Sequence, residues 1–419
     1  MPTRRKILMQ TLQAGAAWAI SRSGGVLVAS AQQSAQTSNK APASAADEMT
    51  VNSAPHPQAL SHYDFGPIPT ELPREAKAVG GPRSLKKHAQ NHGLIAGAAI
   101  QVRALQSDPA LQELVAEQYA ILVPEGELKW RALRPAEDRF DFAASDALFD
   151  FAAKHRMLVR GHTLVWGNSL PDWLQGSAGK RDAGQLLVDH IRTVAGRYRG
   201  RVHSWDVVNE AIEPKDGQLN GLRKSFWYDA IGPAYIELAF RAAREADPHA
   251  KLTYNDYAVE YDSEEDAERR TLILALLRRL RERNIPLDAV GIQAHINAGS
   301  PYTVGKGLAD YIESVRAIGL EVYLTEMDVY DDDLPDDVQR RDYVVAETYR
   351  QFLDVALANP AIKLILTWGV SDRRTWLNDP PRDHRKHLNR PQRSLPFDSG
   401  YRPVRAFFAI RGSFESRKI

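Results

Sequence analysis

From about Ser84 onward, short runs of bulky and often β-branched apolar residues alternate with longer segments whose apolar residues recur at helical spacing. The runs are Leu94 to Ile100, Ala120 to Val123, Met157 to Leu164, Val202 to Val208, Lys251 to Tyr254, Ala289 to Gln293, Glu321 to Thr325 and Ile362 to Thr367. Between them, sets such as Leu187, Ile191, Val194 and Tyr198, or Ile273, Leu276, Leu277 and Leu280, or Val345, Tyr349, Phe352 and Ala356, each form one apolar stripe that must be buried. A strand, a helical segment and another strand in succession call for a crossover, which sets the strands parallel beneath a helical cover. Eight such units over roughly 330 residues fit a closed barrel better than an open doubly wound sheet, and no G-x-G-x-x-G turn follows the first run. The fold class expected is α/β, a (β/α)8 TIM barrel forming a single catalytic domain over residues 84–414.

The first residues read as an address rather than as part of the fold. Thr3-Arg4-Arg5-Lys6 leads into a weakly apolar stretch, Ala14 to Val28, and then the small-residue run Ala29-Ser30-Ala31. This is similar to a twin-arginine export signal over residues 1–31, and implies a periplasmic or extracellular protein. Arg22, Gly24 and Gly25 break the apolar stretch, so no stable membrane span is expected. Residues 32–83, rich in Ala, Ser, Gln and Thr over their first half, read as a disordered lead-in and N-terminal extension. A net charge of +1 argues against nucleic acid as a partner, because that needs a sustained basic face. The absence of cysteine excludes disulfides, thiolate metal sites and cysteine nucleophiles, leaving catalysis to oxygen and nitrogen side chains. No cofactor and no metal is expected, and a monomer is.

In a barrel of this kind the C-terminal ends of the strands and their loops build the active face. Polar and aromatic residues gather there repeatedly. Glu125-Gly126-Glu127-Leu128-Lys129-Trp130 follows the second run, and His162-Thr163-Leu164-Val165-Trp166-Gly167-Asn168 closes the third. The fourth ends Trp205-Asp206-Val207-Val208-Asn209-Glu210, the fifth Asn255-Asp256-Tyr257 and the sixth Gln293-Ala294-His295. Leu324-Thr325-Glu326-Met327-Asp328 ends the seventh, and Trp368-Gly369-Val370-Ser371-Asp372 the eighth.

Glu210 and Glu326 follow the fourth and seventh strands, which lie across the barrel mouth from each other. A glycosidic bond needs one carboxyl to protonate the leaving oxygen and another to attack or stabilise the anomeric carbon. An amide at Asn209 can bond the sugar hydroxyl next to that carbon, and His295 can hydrogen-bond Glu326 and hold it ionised. Trp130, Trp166, Trp205, Trp368 and Trp376 lie at or near strand ends, where indole faces stack on pyranose rings. Tyr257 joins the substrate-binding candidates, and Asp328 stands behind the carboxyl pair.

At these residues the chain resembles glycoside hydrolase family 10, the endo-β-1,4-xylanases, from about Ser84 to about Phe414. Trp205 to Glu210 matches the family's W-D-V-V-N-E and Leu324 to Asp328 its T-E-[LM]-D. The resemblance implies a retaining endo-hydrolase of xylan with Glu210 as acid/base and Glu326 as nucleophile; the alternatives are a related retaining β-glycanase acting on short xylo-oligosaccharides, aryl glycosides or β-glucan, and a non-hydrolytic carbohydrate-binding barrel. It also implies that His162, Trp166, Asn209, Gln293, His295, Trp368 and Trp376 line the glycone subsites, with Glu125 and Lys129 one sugar further out. Three positions depart from the family's habit: Gly126 where E-N-x-M-K has asparagine, and Gly167 and Ser169 where W-H-x-Q has histidine and glutamine. Lost hydrogen bonds of about 0.5–1.5 kcal/mol each reshape subsites without touching the two carboxylates. Two charged stretches, Asp331-Asp332-Asp333 with Asp336 and Asp337, and the basic run Arg373 to Arg393, read as solvated loops. The alternatives are a calcium loop for the first and recognition of acidic xylan side groups for the second.

Overall fold

The computed structural model describes residues 79–176, 182–379 and 389–417. The expected export signal and the lead-in up to residue 78 lie outside the described residues, as does 380–388 within the basic run.

The strands are β1 (Ile95–Ile100), β2 (Ile121–Pro124), β3 (Leu158–Gly161), β4 (Ser204–Asn209), β5 (Lys251–Asp256), β6 (Ala289–Ile292), β7 (His295–Asn297), β8 (Glu321–Tyr330) and β9 (Ile362–Thr367). All pairings among them are parallel. Neighbours run β1 to β6 in order, β6 pairs with β8, β8 with β9, and β9 returns to β1, which closes an eight-stranded barrel. All eight expected strands are present. The short β7 was not foreseen: it pairs only with β8, His295 opposite Asp328, and lets β8 run on to Tyr330. Glu326 and Asp328, expected just past a strand, therefore sit within one.

Apolar burial occurs in two layers. Ala99, Ile121, Val123, Ala289, Tyr323, Leu364, Leu366 and Trp368 fill the barrel interior, while a larger cluster joins the outer faces of the strands to the helices. The helix Glu264–Glu282 illustrates how sequence sets the outer layer. Ser263 caps it by accepting from the Asp266 amide, acidic residues occupy its first turn and Arg279 and Arg281 its last, matching the helix dipole. Its Ile273, Leu276, Leu277 and Leu280 are buried against the barrel, and truncating any of them to alanine would cost roughly 2–5 kcal/mol.

The interior also holds charge. Arg160, fully buried on β3, forms an ion pair with Asp206, donates to Ser204 Oγ at 2.8 Å, and lies 5.4 Å over the Tyr323 ring. The two charged stretches bind each other and the surrounding backbone. Asp331 is buried against Arg341 at 2.6 Å, Asp333 accepts from Asn297, Asp336 pairs with Arg390, and Asp337 caps the helix Val338–Leu357. Arg393 pairs with Asp342, and Arg390 also donates to the carbonyls of Asp331, Asp332 and Leu334. These are anchors for the loop after β8.

Candidate active site

The C-terminal ends of the strands bring Glu210 and Glu326 into one hydrogen-bonded cluster. Asn255, at the end of β5, donates through Nδ2 to Glu326 Oε1 at 2.7 Å and to Asn209 Oδ1 at 2.8 Å. Asn209 in turn donates to Glu210 Oε1 at 3.0 Å. Two amides thus link the carboxylates. Thr325 orients Asn255 by donating to its Oδ1 at 2.7 Å. Only glycine fits at position 291 on the neighbouring strand, because a Cβ there would stand 2.0 Å from that same oxygen.

A register shift on β4 makes this possible. Asp206 pairs with Thr253 but Val208 with Tyr254, so Val207 is an extra residue. Without the bulge, Asn209 would share the outward face of Trp205; with it, Asn209 turns inward beside Asp206.

The two glutamates have different surroundings. Glu210, part-exposed, is held by three neutral N–H groups: Trp166 Nε1 on Oε2 at 2.8 Å, and Asn209 and Gln293 on Oε1 at 3.0 and 2.9 Å. Glu326 is buried, and burial alone would push its carboxyl up. The bond from His295, Nε2 to Oε2 at 3.4 Å, and the charges of His162 and Lys129 outweigh that and hold it down at about 2. Burial likewise pushes His295 down, but Asp328 and Glu326 raise it to about 10. Asp328 accepts from Trp376 Nε1 at 2.8 Å on its other oxygen. On the opposite side His162 Nδ1 lies 3.0 Å from Asp206 Oδ2 and 4.0 Å from Glu326 Oε1, with Arg160 behind Asp206.

The other candidates fall around this centre. Trp368 stands edge-on to His162 at 5.1 Å and Trp376 to His295 at 5.4 Å. Lys129 Nζ lies 4.8 Å over the Trp166 ring and 5.9 Å over Trp368. Glu125 accepts from Gln101 at 3.0 Å; burial raises its carboxyl to about 7 against the pull of Gln101 and Lys129. Tyr257 is near, but its hydroxyl accepts from Arg223 at 2.6 Å and donates to Glu213 at 3.2 Å. Two tryptophans do not reach the site. Trp205 is wholly buried in the outer layer, packed where Gly161 leaves room for its ring, and Trp130 is buried against His190, 3.6 Å between centroids, with its indole bonded to the Leu164 carbonyl.

The sequence profile of glycosyl hydrolase family 10 matches residues 84–413. The chain belongs to glycosyl hydrolase family 10. It is 36% identical over 307 residues to endo-1,4-beta-xylanase B of Thermotoga neapolitana, covering 73% of this chain and 83% of that relative. It is 34% identical over 350 residues to beta-1,4-xylanase of Dictyoglomus thermophilum, covering 81% and 93%. Native xylanase 10B from Thermotoga maritima superposes with a TM-score of 0.70 at 34% identity, over 80% of this chain and 98% of that one.

Within this family 10 site, the three departures from the family's habit are structurally distinct. Gly126 has open space where a side chain would stand, whereas a Cβ on Gly167 would meet Ser225 Cβ at 3.3 Å and Arg223 Cδ at 3.7 Å. Ser169 holds a left-handed φ of 53° and its carbonyl accepts from the Arg131 amide at 2.8 Å. Asn255, Asp206 and Arg160 also belong to the site, although the sequence alone does not single them out. Asn255 already stood in a polar strand end, and a lone arginine in an apolar parallel strand signals a buried partner.

Proposed function

We propose that the chain is a retaining endo-β-1,4-xylanase, with Glu326 as nucleophile and Glu210 as acid/base. The observation that carries this is the pairing of an ionised, histidine-bonded carboxyl with a second carboxyl held only by neutral donors across two amides. The family membership and the xylanase names of its relatives support the choice of xylan.

In the first step a Glu326 oxygen forms a bond to the anomeric carbon as the bond to the leaving oxygen breaks, and the Glu210 proton passes to that oxygen. A water then attacks the same carbon, gives its proton to Glu210, and expels Glu326. Trp166, Asn209 and Gln293 keep the Glu210 carboxyl in place through both proton transfers. His162, Trp368 and Trp376 offer an aromatic wall beside the nucleophile, Glu125 and Lys129 offer polar contacts further along the glycone side, and Asp328 fixes the orientation and the charge of His295.

Reducing-sugar release from xylan, β-glucan and carboxymethylcellulose, with early NMR of the xylan products, tests the reading. Preferred release from xylan with the β-anomer appearing first is expected. The α-anomer first, or no release from xylan, contradicts it.

Export is part of the same proposal. Arg4-Arg5 followed by Ala14 to Val28 and Ala29-Ser30-Ala31 supports a twin-arginine signal. N-terminal sequencing of the protein made in its host should find a start near residue 32, and Met1 retained in a cytoplasmic fraction would refute export.

A further inference from the structure

Glu210 leaves β4 with φ 57°, a left-handed conformation that a residue bearing a side chain keeps only where its surroundings impose it. Both of its backbone groups are clamped. Its amide donates to the Asn255 carbonyl at 2.9 Å, and its carbonyl accepts from Arg223 Nε at 2.8 Å.

Arg223 is buried and is itself fixed by a polar cluster. Its Nη2 donates to the Tyr257 hydroxyl at 2.6 Å and lies 3.5 Å from Glu213 Oε2. Tyr257 donates to Glu213, Arg269 reaches the same carboxylate at 2.9 Å, and the Arg269 guanidinium lies 4.5 Å over the Tyr257 ring. The chain between them folds back on itself: the Arg223 amide donates to the Ala211 carbonyl at 2.7 Å and the Glu213 amide to the Gly221 carbonyl at 2.8 Å. This brings the guanidinium to the turn that carries Glu210. The stem of Arg223 also runs beside Gly167, next to the Trp166 that holds Glu210 Oε2.

We propose that Arg223 is a positioning residue for the acid/base, clamping the left-handed carbonyl of Glu210 so that its carboxyl meets the glycosidic oxygen. The inference rests on the reading of Glu210 as acid/base. Glu326 is also held by His295, which makes no bond to Glu210, so the nucleophile keeps its own support when this clamp is lost. Loss of Arg223 should therefore weaken proton transfer and spare attack. Tyr257 then serves the site by holding Arg223.

The test compares xylan, whose leaving group needs a proton, with 2,4-dinitrophenyl β-xylobioside, whose leaving group does not. For Arg223→Met, kcat/KM on xylan should fall by at least about tenfold while that on the aryl glycoside falls by no more than about threefold. Arg223→Lys should recover part of the xylan loss, and Tyr257→Phe should show a smaller split of the same sign. Equal losses on both substrates, or no loss on xylan, overturns the proposal. Should Arg223→Met fail to fold, the other two variants decide, and absence of the split in both overturns it. Glu210→Ala separates the two levels: if it shows no split, the acid/base reading itself falls; if it splits and the Arg223 variants do not, only the clamp falls.

Discussion

His295 bridges two carboxylates, its Nδ1 2.7 Å from Asp328 Oδ1 and its Nε2 3.4 Å from Glu326 Oε2. The imidazolium is thereby stabilised, and in turn it holds Glu326, the proposed nucleophile, ionised. Glu326 must be a carboxylate to attack. Its depressed value keeps it so down to about pH 2, and removing His295 lets that value rise toward the ordinary glutamate range. The acid limb of kcat/KM on an aryl xylobioside should therefore move upward in His295→Gln. Activity at about pH 4 relative to pH 6.5 should drop roughly two- to fourfold compared with the parent. Superimposable profiles would show that His295 does not set the charge of Glu326.

Glu125 carries the opposite shift. Burial raises it to about 7, so it is largely neutral below that pH and ionised above it. A carboxylate accepts a sugar hydroxyl more strongly than a neutral acid does. KM for a xylo-oligosaccharide long enough to span the glycone side should fall as pH rises through about 7, with little change in kcat. Glu125→Gln should flatten that dependence, which steady-state kinetics across the range would check.

Asn255 joins the two halves of the site. Asn255→Ala leaves Asn209 Oδ1 with only the long 3.5 Å bond from Gln293 and Thr325 Oγ1 with only the Ile292 carbonyl at 3.2 Å, and takes a donor from Glu326. Unfolding free energy should drop by about 1–3 kcal/mol, and kcat on xylan by roughly 10²-fold, as expected when a positioned group at the reacting carboxylate is lost. Denaturant titration and turnover measured on one preparation would show both effects, and full activity would break the link between them.

The fold was readable because buried parallel strands appear as continuous apolar runs and their helices as single stripes. The carboxyl pair was legible because of its company: a lone glutamate after a strand is ordinarily a solvated or ion-paired residue, but Asn209 beside Glu210 and His295 within reach of Glu326 mark these two out. What sequence could not convey is which face a residue takes. Trp205 and Trp130 read like cleft aromatics but pack inside, since a tryptophan at a strand end looks the same on either side. The bulge at Val207 reverses the alternation after Asp206, and nothing in Trp205-Asp206-Val207-Val208-Asn209 announces it. The three-residue β7 is too short to leave a pattern, yet it carries His295. The charged stretches around Asp331 and Arg390 were read as solvated loops; in the described part they anchor one another, because long-range pairing leaves no local trace.

The glycine substitutions make contrasting predictions. Gly126→Asn enters open space, so it should leave the melting temperature unchanged and lower KM for xylo-oligosaccharides about two- to fivefold through a new hydrogen bond. Gly167→His must displace Ser225 by a few tenths of an ångström, so it should lower stability by about 1 kcal/mol and reduce turnover of xylan. Thermal melts and kinetics would separate the two, and equal behaviour would contradict the difference in space around them.

Direct attack by Glu326 is the step on which the proposed retaining mechanism depends. Incubation with 2,4-dinitrophenyl 2-deoxy-2-fluoro-β-xylobioside, followed by peptide mass spectrometry, reads that step itself, because the fluorine slows hydrolysis of the glycosyl ester. One fluoroxylobiosyl group on the peptide containing Glu326 is the predicted result. A stable adduct on a different residue, or rapid turnover of ordinary aryl xylobioside with inverted product and no adduct, would contradict it.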